Sequence, residues 1–193
     1  MRYNKIIVID IESTCWKEDT PKEVEEQYSA KAEYCLNEII EIGICPIETK
    51  SGNVLEPRSI IVKPTYSTVS EFCTSLTTLT QEDVDNGTSF SDACSILVNE
   101  YETKKYVWAS YGFYDRDQFE IQCERENVQY PFSYAHINVK ILFALVNSIR
   151  RQVGMTEALK ILNIPLKGTH HRGGYDAQNI AQILSRVLFS KDS

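Results

Sequence analysis

No run of about 18 apolar residues occurs in this 193-residue chain, which excludes a membrane-spanning helix. Its six cysteines, Cys15, Cys35, Cys45, Cys73, Cys94 and Cys123, include no C-x-x-C pair, so neither a zinc knuckle nor a disulfide framework is suggested. Reduced, mostly buried thiols are the expectation. Surplus positive charge is also missing, because 20 Lys and Arg stand against 27 Asp and Glu, a formal net charge of −7. Proteins that coat nucleic acid through a broad basic surface work by neutralising phosphates, and this chain has no surplus for that. An enzyme whose acids gather around cations is not excluded, since bound metal reverses the local field. No internal repeat or low-complexity tract appears, and because the sequence leads directly into the strand-like KIIVIDI no signal peptide is expected. A cytoplasmic protein with no membrane partner is expected.

With 42% apolar and 24% charged residues, the chain fits a single domain over residues 1–193 that is large enough to bury a substantial core. Residues 5–11 are short and rich in Ile and Val, the pattern of a buried strand. Residues 38–47 and 54–63 flank the turn residues Lys50-Ser51-Gly52-Asn53 and predict a hairpin. A capping-box pattern begins at Thr80, with Asp83 in place of Glu, and residues 89–104 carry Phe90, Ala93, Leu97 and Tyr101 at helical spacing. A strand over 105–111, a helix over 115–127, a short helix over 156–163 and an amphipathic helix over 174–189 complete the reading. This order predicts an α/β fold, a mixed sheet flanked by helices. The highly charged segment 17–37 reads as a peripheral helix or flap with a solvated acidic face.

Three short patterns carry chemistry. Asp10 and Glu12 alternate at the end of the first strand, so both side chains face the same way. Two carboxylates that close repel each other unless a cation lies between them, and oxygen-only ligands suit Mg²⁺ or Mn²⁺ far better than zinc. Asp115 ends Y-G-F-Y-D, where a strand opens through Gly112 into a helix; a plain helix N-cap is the competing reading. In H-H-R-G-G-Y-D, a glycine-rich loop presents His171 five residues before Asp176, which opens the last helix.

Together these patterns resemble the DEDDh branch of the DnaQ-like exonucleases. Asp-x-Glu-x-Thr falls on Asp10, Glu12 and Thr14, the central Asp on Asp115, and His-x4-Asp on His171 and Asp176. Residues 69–84, VSEFCTSLTTLTQEDV, are similar to the subgroup of histone-mRNA 3′-exonucleases and the bacterial sporulation-kinase-pathway-inhibitor-like proteins. The resemblance implies a ribonuclease H-like fold and 3′-to-5′ trimming of single-stranded RNA or DNA ends to nucleoside 5′-monophosphates. It further implies two Mg²⁺, replaceable by Mn²⁺, held by Asp10, Glu12, Asp115 and Asp176. Phe72 and Tyr114 would sandwich the terminal base, with Leu76 and Thr77 beside the nucleotide, and Thr14 would also belong to the substrate-binding set. Tyr175 stands where many relatives carry a second Asp, which leaves local geometry open.

The residue types agree with that chemistry on their own terms. Two cations about 4 Å apart can activate a water and stabilise the leaving oxygen. His171, with an ordinary pKa of about 6.5, can take the water's proton; His170 ranks below it. Lys104, Lys105, Arg116, Arg125 and Arg172 are candidates for lining the phosphate path. An aspartyl-phosphate phosphatase would want Asp at position 12 and leaves His171 unemployed. A catalytically silent scaffold that only binds nucleic acid or protein has no use for all five polar residues.

Overall fold

The structure is a computed structural model that describes residues 3–17 and 37–189. Apart from its two ends, the charged segment 17–37 lies outside the described residues, as does Cys35. Among the described residues, no helix is long and apolar enough to cross a membrane.

The chain builds strands β1 (Lys5–Ser13), β2 (Ile39–Glu48) and β3 (Arg58–Ile61), then helices α1 (Glu71–Thr77), α2 (Gln81–Asp85) and α3 (Phe90–Tyr101). Strand β4 (Val107–Ser110), helix α4 (Tyr114–Glu126), β5 (His136–Asn138), α5 (Val139–Val146), α6 (Met155–Ile161) and α7 (Gly173–Phe189) follow. The sheet order is β3-β2-β1-β4-β5. β1 runs antiparallel to β2 and parallel to β4, so the sheet is mixed as the sequence predicts. β1 at its centre is buried on both faces, which is why it reads as a continuous apolar run.

Side-chain alternation along β1 separates two cores. Ile7, Ile9 and Ile11 pack with Phe90, Leu97, Phe119 and Trp108 on the α3 and α4 face. Ile6 and Val8 pack with Cys45, Ile47, Ala177, Ile180, Ala181 and Leu184 on the α6 and α7 face. Asp10 and Glu12 continue this second set, so the period of two that buries Ile6 and Val8 also aims both acids at the start of α7.

Helix α7 reaches the sheet because two glycines meet there. Gly43 is the cross-strand partner of Asp10, and a Cβ on it would lie 1.8 Å from the Gly173 carbonyl oxygen. A Cβ on Gly173 would in turn lie 2.9 Å from the Gly43 nitrogen. Only bare backbone on both sides allows this approach.

Other elements depend on caps. Thr80 and Asp83 form the predicted capping box of α2, and Ser89 caps α3. Helix α4 has a polar buried face, with Gln122 Oε1 accepting from Ile39 N at 2.8 Å and Gln118 Nε2 donating to Asn37 O at 2.6 Å. Three elements go beyond the sequence pattern. Residues 71–77 are helical although Thr, Ser and Cys favour that state weakly, because Ser70 caps the Cys73 N–H and Cys73 and Thr77 are buried. β5 and α5 occupy residues 136–146; β5 has only three residues, too few for a period to register.

The glycine contact gives the first prediction. Gly43→Ala should destabilise the protein by about 1–3 kcal/mol or more and displace α7, as overpacking against fixed backbone does. Denaturant unfolding of the variant checks this, and wild-type stability would refute the close approach.

Candidate active site

Four carboxylates converge at the C-terminal ends of β1 and β4. Carboxylate oxygens of Asp10 and Glu12 on β1 and of Asp176 in the first turn of α7 lie within 4.8 Å of one another. Asp115 arrives from α4, buried, with Oδ1 accepting the Ile11 N–H at 3.1 Å. It is not a helix cap. Phe113 holds the N-cap position of α4 without a side-chain hydrogen bond, and the Asp115 carboxylate is turned to β1 instead.

Asp176 divides its work between its two oxygens. Oδ2 accepts the His171 N–H at 2.8 Å and lies 2.7 Å from His170 Nδ1, whereas Oδ1 is buried with no hydrogen-bond partner. A buried carboxylate oxygen without a donor is costly unless something else meets it. Its neighbours are acids. An oxygen-only donor set with one orphaned oxygen fits a hard divalent cation such as Mg²⁺ or Mn²⁺.

The electrostatics agree. Burial, followed by repulsion from Asp115, Glu12, Asp176 and Glu41, raises the Asp10 carboxyl well above its usual range. Glu12 is pushed up to about 8, chiefly by burial and then by Asp176 and Glu41. Asp115 rises only to about 6, because burial is opposed by the N–H groups of Ile11 and of Asp115 itself and by the Ser110 hydroxyl. His171 shifts down through burial and the neighbouring His170, whose ring stacks on it at 3.9 Å. The backbone of His171 is left-handed, with φ of 63°.

The predicted nucleotide contacts divide into two groups. Tyr114 is exposed on α4, with its hydroxyl 3.4 Å from Asn37 Nδ2, while Phe72 is half-buried and Leu76 exposed on α1. Helix α1 is fastened beside the acids by Ser70 Oγ, which donates to Cys15 O at 2.6 Å, and Cys73 Sγ, 3.6 Å from Ser13 O. Thr14 and Thr77, by contrast, are fully buried. The Thr14 hydroxyl accepts from Glu38 N at 2.9 Å, and that of Thr77 donates to Cys73 O at 2.9 Å and accepts from Leu79 N at 3.1 Å. Both hydroxyls are committed to the protein and shape the site from within.

The basic residues also differ from expectation. Arg125 is buried, 3.7 Å from Glu38, and Arg116 and Lys105 are engaged by Asp117 and Glu102. Arg172 stays at the site, held by Glu41. Glu38, just before β2, and Glu41 on β2, both fully buried, are structural residues that the motifs do not include. Their signal was a charged residue inside an apolar strand, EIIEIGI, which demands a buried partner.

A mixed sheet flanked by helices, with four acids gathered at one end and a histidine loop beside them, is a ribonuclease H-like fold. Residues 7–184 match the family described as Exonuclease, and the chain belongs to that family, in its DEDDh branch. It is 31% identical over 196 residues to both the rat and the human 3′-5′ exoribonuclease 1, which covers 96% of this chain and 53% of those proteins. The chain thus spans about half the length of these relatives. The structure of the nuclease domain of 3′hExo, a DEDDh family member, bound to rAMP, superposes with a TM-score of 0.82 at 28% identity, covering 96% of this chain and 92% of that one.

The shifted carboxyls predict how stability follows pH. Glu12 and Asp115 bind protons more tightly folded than unfolded, so their contribution is fully present below pH 4 and lost as pH rises through about 6 and then 8. The melting temperature of chelator-treated protein should therefore fall between pH 5 and 8. Mg²⁺ should restore it, most strongly at pH 8. Asp10→Asn should raise metal-free stability and abolish the Mg²⁺ response; an unchanged response would remove Asp10 from the metal site.

Proposed function

We propose that the chain is a divalent-metal-dependent 3′-to-5′ exonuclease that trims single-stranded RNA or DNA ends and releases nucleoside 5′-monophosphates. The observation that carries this reading is the trio of carboxylates within 4.8 Å that includes a buried, unpartnered Asp176 oxygen. RNA is favoured over DNA, because relatives at 31% identity are named exoribonucleases and a structural neighbour at 28% identity was solved bound to rAMP. A silent scaffold would gain nothing from four acids that repel one another, and a phosphatase reading leaves the His171 loop without a task.

Asp10, Glu12 and Asp176, completed by Asp115, would hold two Mg²⁺, or Mn²⁺ in their place. When bound, the cations supply a lowered pKa for the attacking water and charge stabilisation for the leaving 3′ oxygen. The remaining work belongs to the protein. The lowered pKa of His171 keeps its imidazole neutral at physiological pH, ready to take the water's proton as general base. Its neighbour His170 bears on Asp176 Oδ2 and so steadies a metal ligand, not the reacting water. Phe72 and Tyr114 stack on the terminal base, which tolerates any base at roughly 1–3 kcal/mol each. Leu76, exposed on α1, blocks passage beyond the 3′ end.

The direct test is to incubate 5′-labelled RNA and DNA of matched sequence with Mg²⁺, Mn²⁺ or chelator. A ladder shortening from the 3′ end, absent with chelator, is expected. Uniform internal cleavage, or none with either metal, would end the proposal.

The two histidines supply a finer prediction. His171→Ala should lower kcat by roughly 10²- to 10⁴-fold with KM and Mg²⁺ affinity retained. His170→Ala should cost less than about tenfold in kcat and act mainly through weakened Mg²⁺ affinity. The acid limb of the wild-type kcat profile should lie below the ordinary histidine range. If His170→Ala is the more damaging variant, the general base is misassigned.

A further inference from the structure

We infer that Glu41 and Arg172 form a positioning pair that fixes the His171 loop to the sheet and couples it to α1, the helix that presents Phe72 and Leu76. The inference rests on the general-base reading of His171.

Glu41 is fully buried on β2 and is the cross-strand partner of Glu12. In that place its charge adds to the repulsion on Glu12 and Asp10. A fifth carboxylate beside an acidic cluster is unfavourable on its own, so its presence calls for a compensating task. It is not part of the apolar core, because alternation puts its strand neighbours Ile40 and Ile42 on the opposite face of β2 and leaves Glu41 on the face of Glu12 and the start of α7.

The hydrogen bonds identify the task. Glu41 Oε2 accepts from Gly173 N at 3.0 Å and from Arg172 Nε at 3.0 Å, and Oε1 accepts from Arg172 Nη2 at 3.4 Å. Both carboxylate oxygens are thus engaged by two consecutive residues of the loop, in the fork geometry that makes Arg and carboxylate selective for each other. The third guanidinium nitrogen, Nη1, lies 3.4 Å from Thr78 Oγ1. Thr78 is the left-handed cap that ends α1, with φ of 66°. The Arg172 side chain, one residue before α7, therefore joins β2 to the end of α1, while Glu41 itself holds the first N–H of α7.

His171 occupies the residue before Arg172. Its own φ of 63° is unfavourable for a residue with a side chain and persists only where flanking contacts enforce it. Asp176 Oδ2 holds the His171 N–H on one side, and the Glu41 fork holds Arg172 and Gly173 on the other. Removing the fork frees the loop on one side while leaving every proposed metal ligand in place. Loss of position at the general base lowers the rate of the chemical step, and a displacement of about 1 Å is enough to cost on the order of 10²-fold.

The test compares Glu41→Gln, Arg172→Met, the double variant and His171→Ala in the full chain at saturating Mg²⁺, on 5′-labelled single-stranded RNA. Melting temperature reports folding, and Mg²⁺-dependent shifts in it report metal affinity. Arg172→Met keeps the test alive if Glu41→Gln does not fold, since Arg172 is partly exposed. The single variants should lose about 10- to 100-fold in kcat with KM within about threefold. The double variant should be no worse than the poorer single one, as expected of two partners in one interaction. Arg172→Lys, which cannot form the fork, should not rescue the rate. A raised KM with unchanged kcat would show that Arg172 binds phosphate instead and would overturn the pair. So would wild-type kcat in both single variants while His171→Ala is impaired. Wild-type kcat in His171→Ala would overturn the general-base reading, and this inference with it.

Discussion

Mutual repulsion of buried carboxylates is the constraint around which this structure is arranged. Two unit charges about 4 Å apart repel by roughly 4 kcal/mol at an effective dielectric of 20, as much as a buried side chain contributes by packing. The protein brings three such groups within 4.8 Å, and Asp115 acts on Asp10 as well. Without a cation the cluster lowers this cost by retaining protons, which is the physical meaning of a Glu12 pKa near 8. Cation binding near neutral pH must then release protons, so metal affinity and acidity are linked in one site.

Holding repelling groups together requires rigid supports, and the supports are mostly backbone. Asp10 and Glu12 are fixed by their ladder to β2, Asp115 by the Ile11 N–H, and Asp176 by the packing of Gly173 on Gly43. β2 and the residue before it also supply two buried acids, Glu41 and Glu38, that anchor neighbouring segments. Glu38 accepts from the backbone of Thr65, Tyr66 and Ser67, while its own N–H donates to Thr14. Glu41 does the equivalent for Arg172 and Gly173. In one case a carboxylate gathers N–H donors from residues 65–67, in the other from Arg172 and the first residue of α7, and each segment acquires a defined shape beside the acids.

Legibility in the sequence followed the range of the interactions concerned. β1, the hairpin, α3 and α7 are encoded by local periodicity, with Asp10 and Glu12 at the end of β1 and Asp176 in the first turn of α7. Asp115 opens α4 after β4, and the order and spacing of all four acids together carry the family resemblance. α1 depends on a Ser70 cap and on burial of Cys73 and Thr77, and its own residues favour a helix only weakly. Phe72 and Leu76 could be placed near the nucleotide by family resemblance, but the commitment of Thr14 and Thr77 to internal hydrogen bonds depends on contacts 24 and two residues away. Glu38, Glu41 and Arg172 were hardest to read. Arg172 and Glu41 are 131 residues apart, and only the folded sheet makes them neighbours.

The division of labour within Asp176 ties these strands together. Oδ2 organises the loop through the His171 N–H and His170, and Oδ1 is buried without a hydrogen-bond partner in a carboxylate that lies beside Asp10 and Glu12. A single carboxylate thereby sets both the position of the proposed base and the position of a cation ligand. The two are separated by a helix turn anchored on Gly173, which cannot shift without striking Gly43. The separation between the proposed base and the proposed cation ligand is therefore set by backbone packing rather than by flexible side chains. That arrangement suits a reaction in which a proton and a developing negative charge must be handled at fixed separation, because the geometry is in place before substrate arrives.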